Sequence, residues 1–205
     1  MNQLKKAGIL NLILCILELI GMIVALVNNG LPIMVYFTQE SNLLCMIASG
    51  IYAWYALVKK PESMPKWVSL FKYITTCLLM VTFIVVIFVF VPMCIPDVGM
   101  MINIVFVGAS FFHHFVCPIL AFIIYVFIEH DMVPGRREVL FAAAPVLVYA
   151  IVTGLLNVLR VMEGPYPFLL VHKQPVAISV MWFIVIVGGG YLLALLLRYI
   201  KKKRS

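Results

Sequence analysis

The side chains able to do chemistry lie in stripes. Thr38, Ser41, Asn42, Cys45 and Ser49 recur at spacings of 0, 3, 4, 7 and 11, which is one face of an α-helix. Ser110, His113, His114 and Cys117 form a similar stripe, followed by Pro118. Tyr149, Thr153 and Asn157 stand at intervals of four and rise toward Arg160, while Glu18, near the middle of the first apolar run, has Asn11 and Cys15 on the same side. An imidazole takes and gives protons near neutral pH, and a hydroxyl within its reach becomes a nucleophile. An acid surrounded by apolar residues is either protonated or paired, and His113 and His114 are the candidate partners of Glu18. Adjacent histidines project about 100° apart on a helix, so one occupies the centre of a site while the other packs or bonds a neighbour. Pro118 has no N–H for the carbonyl of residue 114, which predicts a kink beside the histidines.

Each stripe also has a plainer reading. Hydroxyls and thiols glue helices together, which suits Ser41, Cys45 and Ser49. Arg160 is either an anion-attracting cation at the mouth of a polar wall or an interfacial partner of Glu163. Two adjacent histidines without a spaced acidic or cysteine set do not make a metal site, and no phosphate loop, HExxH, GxSxG or EF-hand pattern occurs. No metal or cofactor is expected. The five cysteines, an odd number, read as packing residues.

The elements that must hold these stripes follow from composition. The 205 residues are 65 % hydrophobic and 11 % charged, with mean hydropathy +1.14, against about 25 % charged in soluble domains. The solvent is a bilayer. Runs long enough to span it, about 20 apolar residues, fall at roughly 7–27, 34–58, 70–91, 102–128, 138–158 and 176–199. They predict an all-α bundle of six transmembrane helices as one domain. The first run is too long for a signal h-region and lacks a clear cleavage site, so it reads as a retained span. No repeat relates the halves, which gives an inverted-repeat transporter no support.

Thirteen Lys and Arg residues fall on the side of the termini, from Lys5 to Arg204, and two, Arg160 and Lys173, on the other. That asymmetry places both termini in the cytoplasm. The net charge of +7 therefore describes orientation, with the basic tail on anionic headgroups, and not nucleic-acid binding. The connections at 28–33, 92–101 and 159–175 carry Pro32, Pro92, Pro96, Pro165, Pro167 and Pro175 and are expected to cap the far mouth of the bundle. With spans starting near 34 and 102, Thr38 lies about 6 Å and His113 about 16 Å below that mouth.

Three segments, Tyr36-Phe37-Thr38-Gln39-Glu40-Ser41-Asn42, His113-His114-Phe115-Val116-Cys117-Pro118 and Tyr166-Pro167-Phe168, in this order and placement, resemble the androgen-induced protein family, with the androgen-dependent TFPI-regulating protein, and its small bacterial six-span relatives. The resemblance implies an intramembrane threonine hydrolase of fatty acid esters of hydroxy fatty acids. It implies Thr38 as nucleophile and His113 as base, since His113 and not His114 stands in the His-x-x-Val-x-Pro register. Gln39, Glu40 and Ser41 depart from the mammalian pattern and leave the substrate open. Ser41 or Asn42 would hold the oxyanion, Arg160 a substrate carboxylate, and Glu18 the imidazole. The implied partners are membrane lipids and a lipid ester, and the implied location is the bacterial cytoplasmic membrane. Two other classes fit the residues: a channel or transporter using Glu18 and His113 as a proton or solute path, and a structural membrane protein.

Overall fold

A computed structural model describes residues 2–95 and 97–204; Pro96 lies outside them. The described residues are mostly helical and hold no strand, with six helices long and apolar enough to cross a membrane. These are α1 (Gln3–Asn29), α2 (Phe37–Lys59), α3 (Lys66–Met93), α5 (Phe111–Ile128), α6 (Arg136–Val158) and α7 (Val176–Arg204), and a short α4 (Val98–Phe106) precedes α5. Six spans bring both termini to one end of the bundle, together with the 60–65 and 129–135 connections. The segments 30–36, 94–110 and 159–175 gather at the other, here the loop end.

Local chemistry sets the helix ends. Asn2 caps α1 by accepting from Leu4 N at 3.1 Å, and Asp97 caps α4 by accepting from Met100 N at 2.9 Å. Gly30, at φ 69°, stops α1 before Pro32. The start of α2 has no cap from its own neighbours. Two distant tyrosines take that role: Tyr149 OH accepts from Phe37 N at 3.1 Å, and Tyr166 OH accepts from Thr38 N at 3.2 Å. Orphan first-turn donors are thereby satisfied from α6 and from the 159–175 segment.

The sequence predicts one continuous fourth span over 102–128. In the structure it is interrupted. The chain leaves helix at Val107 and Gly108, where Gly108 has φ 60°, and resumes at Ala109 to enter a π-helical turn over Phe111–Val116. The run is apolar on both sides of the break, so hydropathy alone does not reveal it. With the spans starting at 37 and 111, Thr38 is the second residue of its helix and His113 the third of its own. Counted from those starts the two would lie nearly level, yet the expected mismatch persists: the His113 ring stands 4.0 Å from Glu18, whose carboxyl meets Cys45, seven residues or about 10 Å below Thr38.

α3 is the central helix, packed against α2, α5, α6 and α7, while α1 closes one side against α2 and α5. Leu14, Cys45, Leu79, Cys117, Ala121 and Ile124 form the core between α1, α2, α3 and α5. Tyr73, Tyr125, Val139, Ala142, Ala194 and Leu197 form another between α3, α5, α6 and α7. All five cysteines are free.

Candidate functional site

The α2 stripe turns inward: Thr38, Ser41, Asn42, Cys45 and Ser49 are all buried, while Glu40 is exposed. Two different environments meet along it. Toward α3, α6 and α7 lies a narrow apolar groove with about 50 Å³ of interior space, lined by Phe37, Val81, Val85, Phe90, Val146, Phe168 and Trp182 among others. Thr38, Thr82, Tyr149 and Tyr166 supply its hydroxyls. Toward α1, α3 and α5 lies a set of buried ionisable groups.

At the groove, Tyr166 OH accepts the Thr38 N–H and lies 3.4 Å from Thr38 Oγ1. Tyr166 is held between Tyr36, Phe90 and Phe168, with ring centroids 5.2 to 5.7 Å apart. Burial pushes its phenol up to about 12, opposed by the hydrogen bonds with Thr38. It is therefore a neutral hydroxyl at working pH, able to donate. Tyr149 OH donates to Val35 O at 2.9 Å while accepting from Phe37 N. Expected as part of a polar wall, this tyrosine instead fastens the segment before α2 to its first turn. Farther along α6, Thr153 bonds Tyr149 O, and Asn157 ties the following loop through Met162 O and Val171 N.

Ser41 and Asn42 are committed to backbone. Ser41 Oγ donates to Thr38 O at 3.0 Å, so Thr82 Oγ1, 3.1 Å away, is the donor toward it. Asn42 Nδ2 donates to Thr38 O at 2.7 Å and to His113 O at 3.4 Å. The second bond has a local cause. In a π-turn His113 O would look to the N–H five residues on, and that residue is Pro118, which has none; Asn42 supplies the missing donor. Neither side chain faces the groove in the manner an oxyanion donor would.

His113 is 1 % exposed and its ring faces α1, with Nε2 4.0 Å from Glu18 Oε2. Among the described residues neither ring nitrogen and neither Glu18 oxygen makes a hydrogen bond. Gly21 lies so close that a Cβ there would stand 2.5 Å from His113 Nε2. His114 points elsewhere: its Nδ1 is 2.5 Å from Ile104 O, so the proton on that nitrogen caps the end of α4. Thr38 Oγ1 and the His113 imidazole are not hydrogen-bonded to each other; Asn42 joins their backbones instead.

Arg160 is exposed, at φ 59°, in a separate hollow with Glu163, His172 and Lys173. The partner of Glu163 is Lys173, not Arg160. Two of the basic residues counted toward orientation are also not at the surface. Lys72 is fully buried and donates to Ser49 Oγ at 2.9 Å, and Lys201 is 2 % exposed and donates to Tyr125 O at 2.5 Å and to Glu129 O. The expectation that the whole basic tail lies on headgroups therefore fails at Lys201, whose long stem reaches back into the bundle. Glu129 receives Asn11 Nδ2 at 2.8 Å, and Tyr52 OH donates to Asp131 at 2.5 Å. The signal for Lys72 was available: Ser69, Lys72 and Thr76 share one face of α3, and all are buried. No protein-family model, curated protein or solved structure matches the chain.

Proposed function

We propose that this multi-pass membrane protein is an intramembrane hydrolase of lipid esters, of the fatty acid ester of hydroxy fatty acid type, with Thr38 as nucleophile. The observation that supports it most is the setting of Thr38: a hydroxyl in the first turn of α2, opening on an apolar groove, with a neutral phenol 3.4 Å from its Oγ1. Such a groove suits an acyl chain, and the hydroxyl cluster at its end suits the ester. The resemblance of the segments around Thr38, His113 and Tyr166 points the same way.

In this reading Thr38 Oγ1 attacks the ester carbonyl and its proton passes to His113. The tetrahedral intermediate collapses with that proton given to the departing hydroxy acid, and water then hydrolyses the acyl-threonine. Tyr166, the phenol closest to Thr38 Oγ1, donates to the developing oxyanion in place of Ser41 and Asn42, whose protons serve backbone carbonyls. Substrate entry brings the imidazole of His113 up toward Thr38 from the Asn42–Cys45 level of α2; catalytic hydrogen bonds commonly tighten only when substrate is bound. Glu18, 4.0 Å from Nε2, orients the ring before that movement. The basic-residue asymmetry supports termini in the cytoplasm and a groove mouth in the outer leaflet, in a bacterial cytoplasmic membrane.

Purified protein in detergent should release free fatty acid from such esters, and Thr38→Ala and His113→Ala should not. If both variants lose only thermal stability while turnover persists, the polar stripe is structural.

A further inference from the structure

Of the ionisable groups enclosed by α1, α2, α3 and α5, ester chemistry at Thr38 uses only His113 and Glu18, yet all of them are costly to bury. At the termini end stand Glu129, 2 % exposed, and Lys201 beside it. Lys72, fully buried, acts electrostatically on Glu129 and on Glu18. From Lys72 a sequence of contacts runs inward: Nζ to Ser49 Oγ at 2.9 Å, and Ser49 Oγ to Cys45 Sγ at 3.7 Å. Cys45 and Cys117 flank the Glu18 carboxyl, which stands 4.0 Å from His113 Nε2. His113 is the third residue of α5 from the loop end. Glu129 follows the last residue of that helix, sixteen positions on, which is about 24 Å of a hydrocarbon core about 30 Å thick.

We propose that this interior is a proton path between the two faces of the membrane, with Glu18 and His113 as its central carriers and Glu129 and Lys72 as its entrance at the termini end. Glu18 and His113 meet as a loose pair at 4.0 Å, and apart from the Cys45 and Cys117 thiols beside Glu18 their oxygens and nitrogens have no hydrogen-bond partner among the described residues. They face each other as an acceptor and a carrier do. Ser49 and Cys45 can each accept a proton on a lone pair and release their own, so one proton taken up at Glu129 is matched by one released from His113. The path returns to its starting charge and nothing is oxidised or reduced. The other charged or titratable groups facing the path are Cys15 on α1, Tyr52 on α2, His114, Cys117 and Tyr125 on α5, Asp131 on the following loop and Lys201 on α7.

The path shares Glu18 and His113 with the proposed ester chemistry but does not need Thr38, and one preparation separates the two. Protein is reconstituted in phosphatidylcholine and phosphatidylglycerol vesicles holding a pH-sensitive dye, and proton entry is driven by a potassium diffusion potential. Entry about tenfold or more above protein-free vesicles is expected, falling to the protein-free rate in Glu18→Gln and in Lys72→Met and unchanged in Arg160→Ala. Folded wild-type protein that conducts no faster than lipid alone, or Glu18→Gln that conducts as wild type does, overturns the proposal. Should Glu18→Gln not fold, a carbodiimide that modifies buried protonated carboxyls decides on wild-type protein: blocked flux supports the path and unaffected flux contradicts it. Ester turnover without flux would leave Thr38 chemistry standing and remove the path, and flux without turnover would do the reverse.

Discussion

Tyr166 accepts the backbone N–H of Thr38 at 3.2 Å and places its hydroxyl 3.4 Å from Thr38 Oγ1. One phenol, from a loop 128 residues away in sequence, therefore both caps α2 and attends the hydroxyl at its start. Tyr166→Phe keeps the ring contacts with Tyr36, Phe90 and Phe168 and removes only this oxygen. A loss of about 1 kcal/mol of stability and a turnover drop of about 10²-fold are expected, read from thermal melts and from hydrolysis at saturating ester. Because burial holds the phenol up at about 12, no inflection from Tyr166 should appear in the pH profile below about pH 11.

Gly21 is the contact that lets the His113 ring sit against α1. A Cβ there would meet Nε2 at 2.5 Å, Cδ2 at 2.7 Å and Phe112 Cβ at 2.8 Å. Gly21→Ala should cost about 1–3 kcal/mol, seen as a lowered melting temperature. Gly154, where an added Cβ would meet nothing within 4 Å, is the control: Gly154→Ala should gain up to about 1 kcal/mol from helix propensity.

Asn42 supplies the donor that Pro118 withholds from His113 O and also holds Thr38 O. Asn42→Leu leaves His113 O short of a partner, while Thr38 O keeps Ser41 Oγ, and should lower stability by about 1–3 kcal/mol. Arg160→Ala, in its separate exposed hollow, should stay within about 0.5 kcal/mol and keep full turnover. The pair of melts separates the residue that joins the two helices from the one that does not.

Glu129 carries a pH signature. Burial raises its carboxyl above the ordinary 4.5, with Lys72, Asn11 and Lys201 pulling the other way. An acid raised in the fold binds its proton more tightly there than in the unfolded chain. Its contribution is thus fully present below about pH 4.5 and is lost as pH rises through the folded value. Glu129→Gln, neutral throughout, should melt progressively higher relative to wild type as pH climbs from about 4 to 8, a trend read from melts of both proteins in one buffer series.

How much of this was legible depends on the range of the signal. The six spans follow from hydropathy because each is a local property of about twenty residues, and the inward face of α2 follows from spacing. The break at 107–108 was hidden, since Val107 and Gly108 interrupt no apolar run. Counting every Lys near a helix end toward orientation concealed Lys72 and Lys201, because the count is blind to which side of the helix a charge occupies. The capping of α2 by Tyr149 and Tyr166 joins residues more than a hundred positions apart, and no local pattern encodes it. The same holds for Asn42 and Pro118, whose relation depends on a π-turn that sequence does not announce.

The nucleophile can be trapped directly. Wild-type protein in detergent is treated with a lipid-like fluorophosphonate, then measured by intact mass and by sequencing of the labelled peptide. A single phosphonyl adduct on Thr38, absent from Thr38→Ala and slowed in His113→Ala and Tyr166→Phe, is expected. Labelling that persists in Thr38→Ala, or ester hydrolysis by wild type with no adduct at Thr38, would contradict Thr38 as the nucleophile.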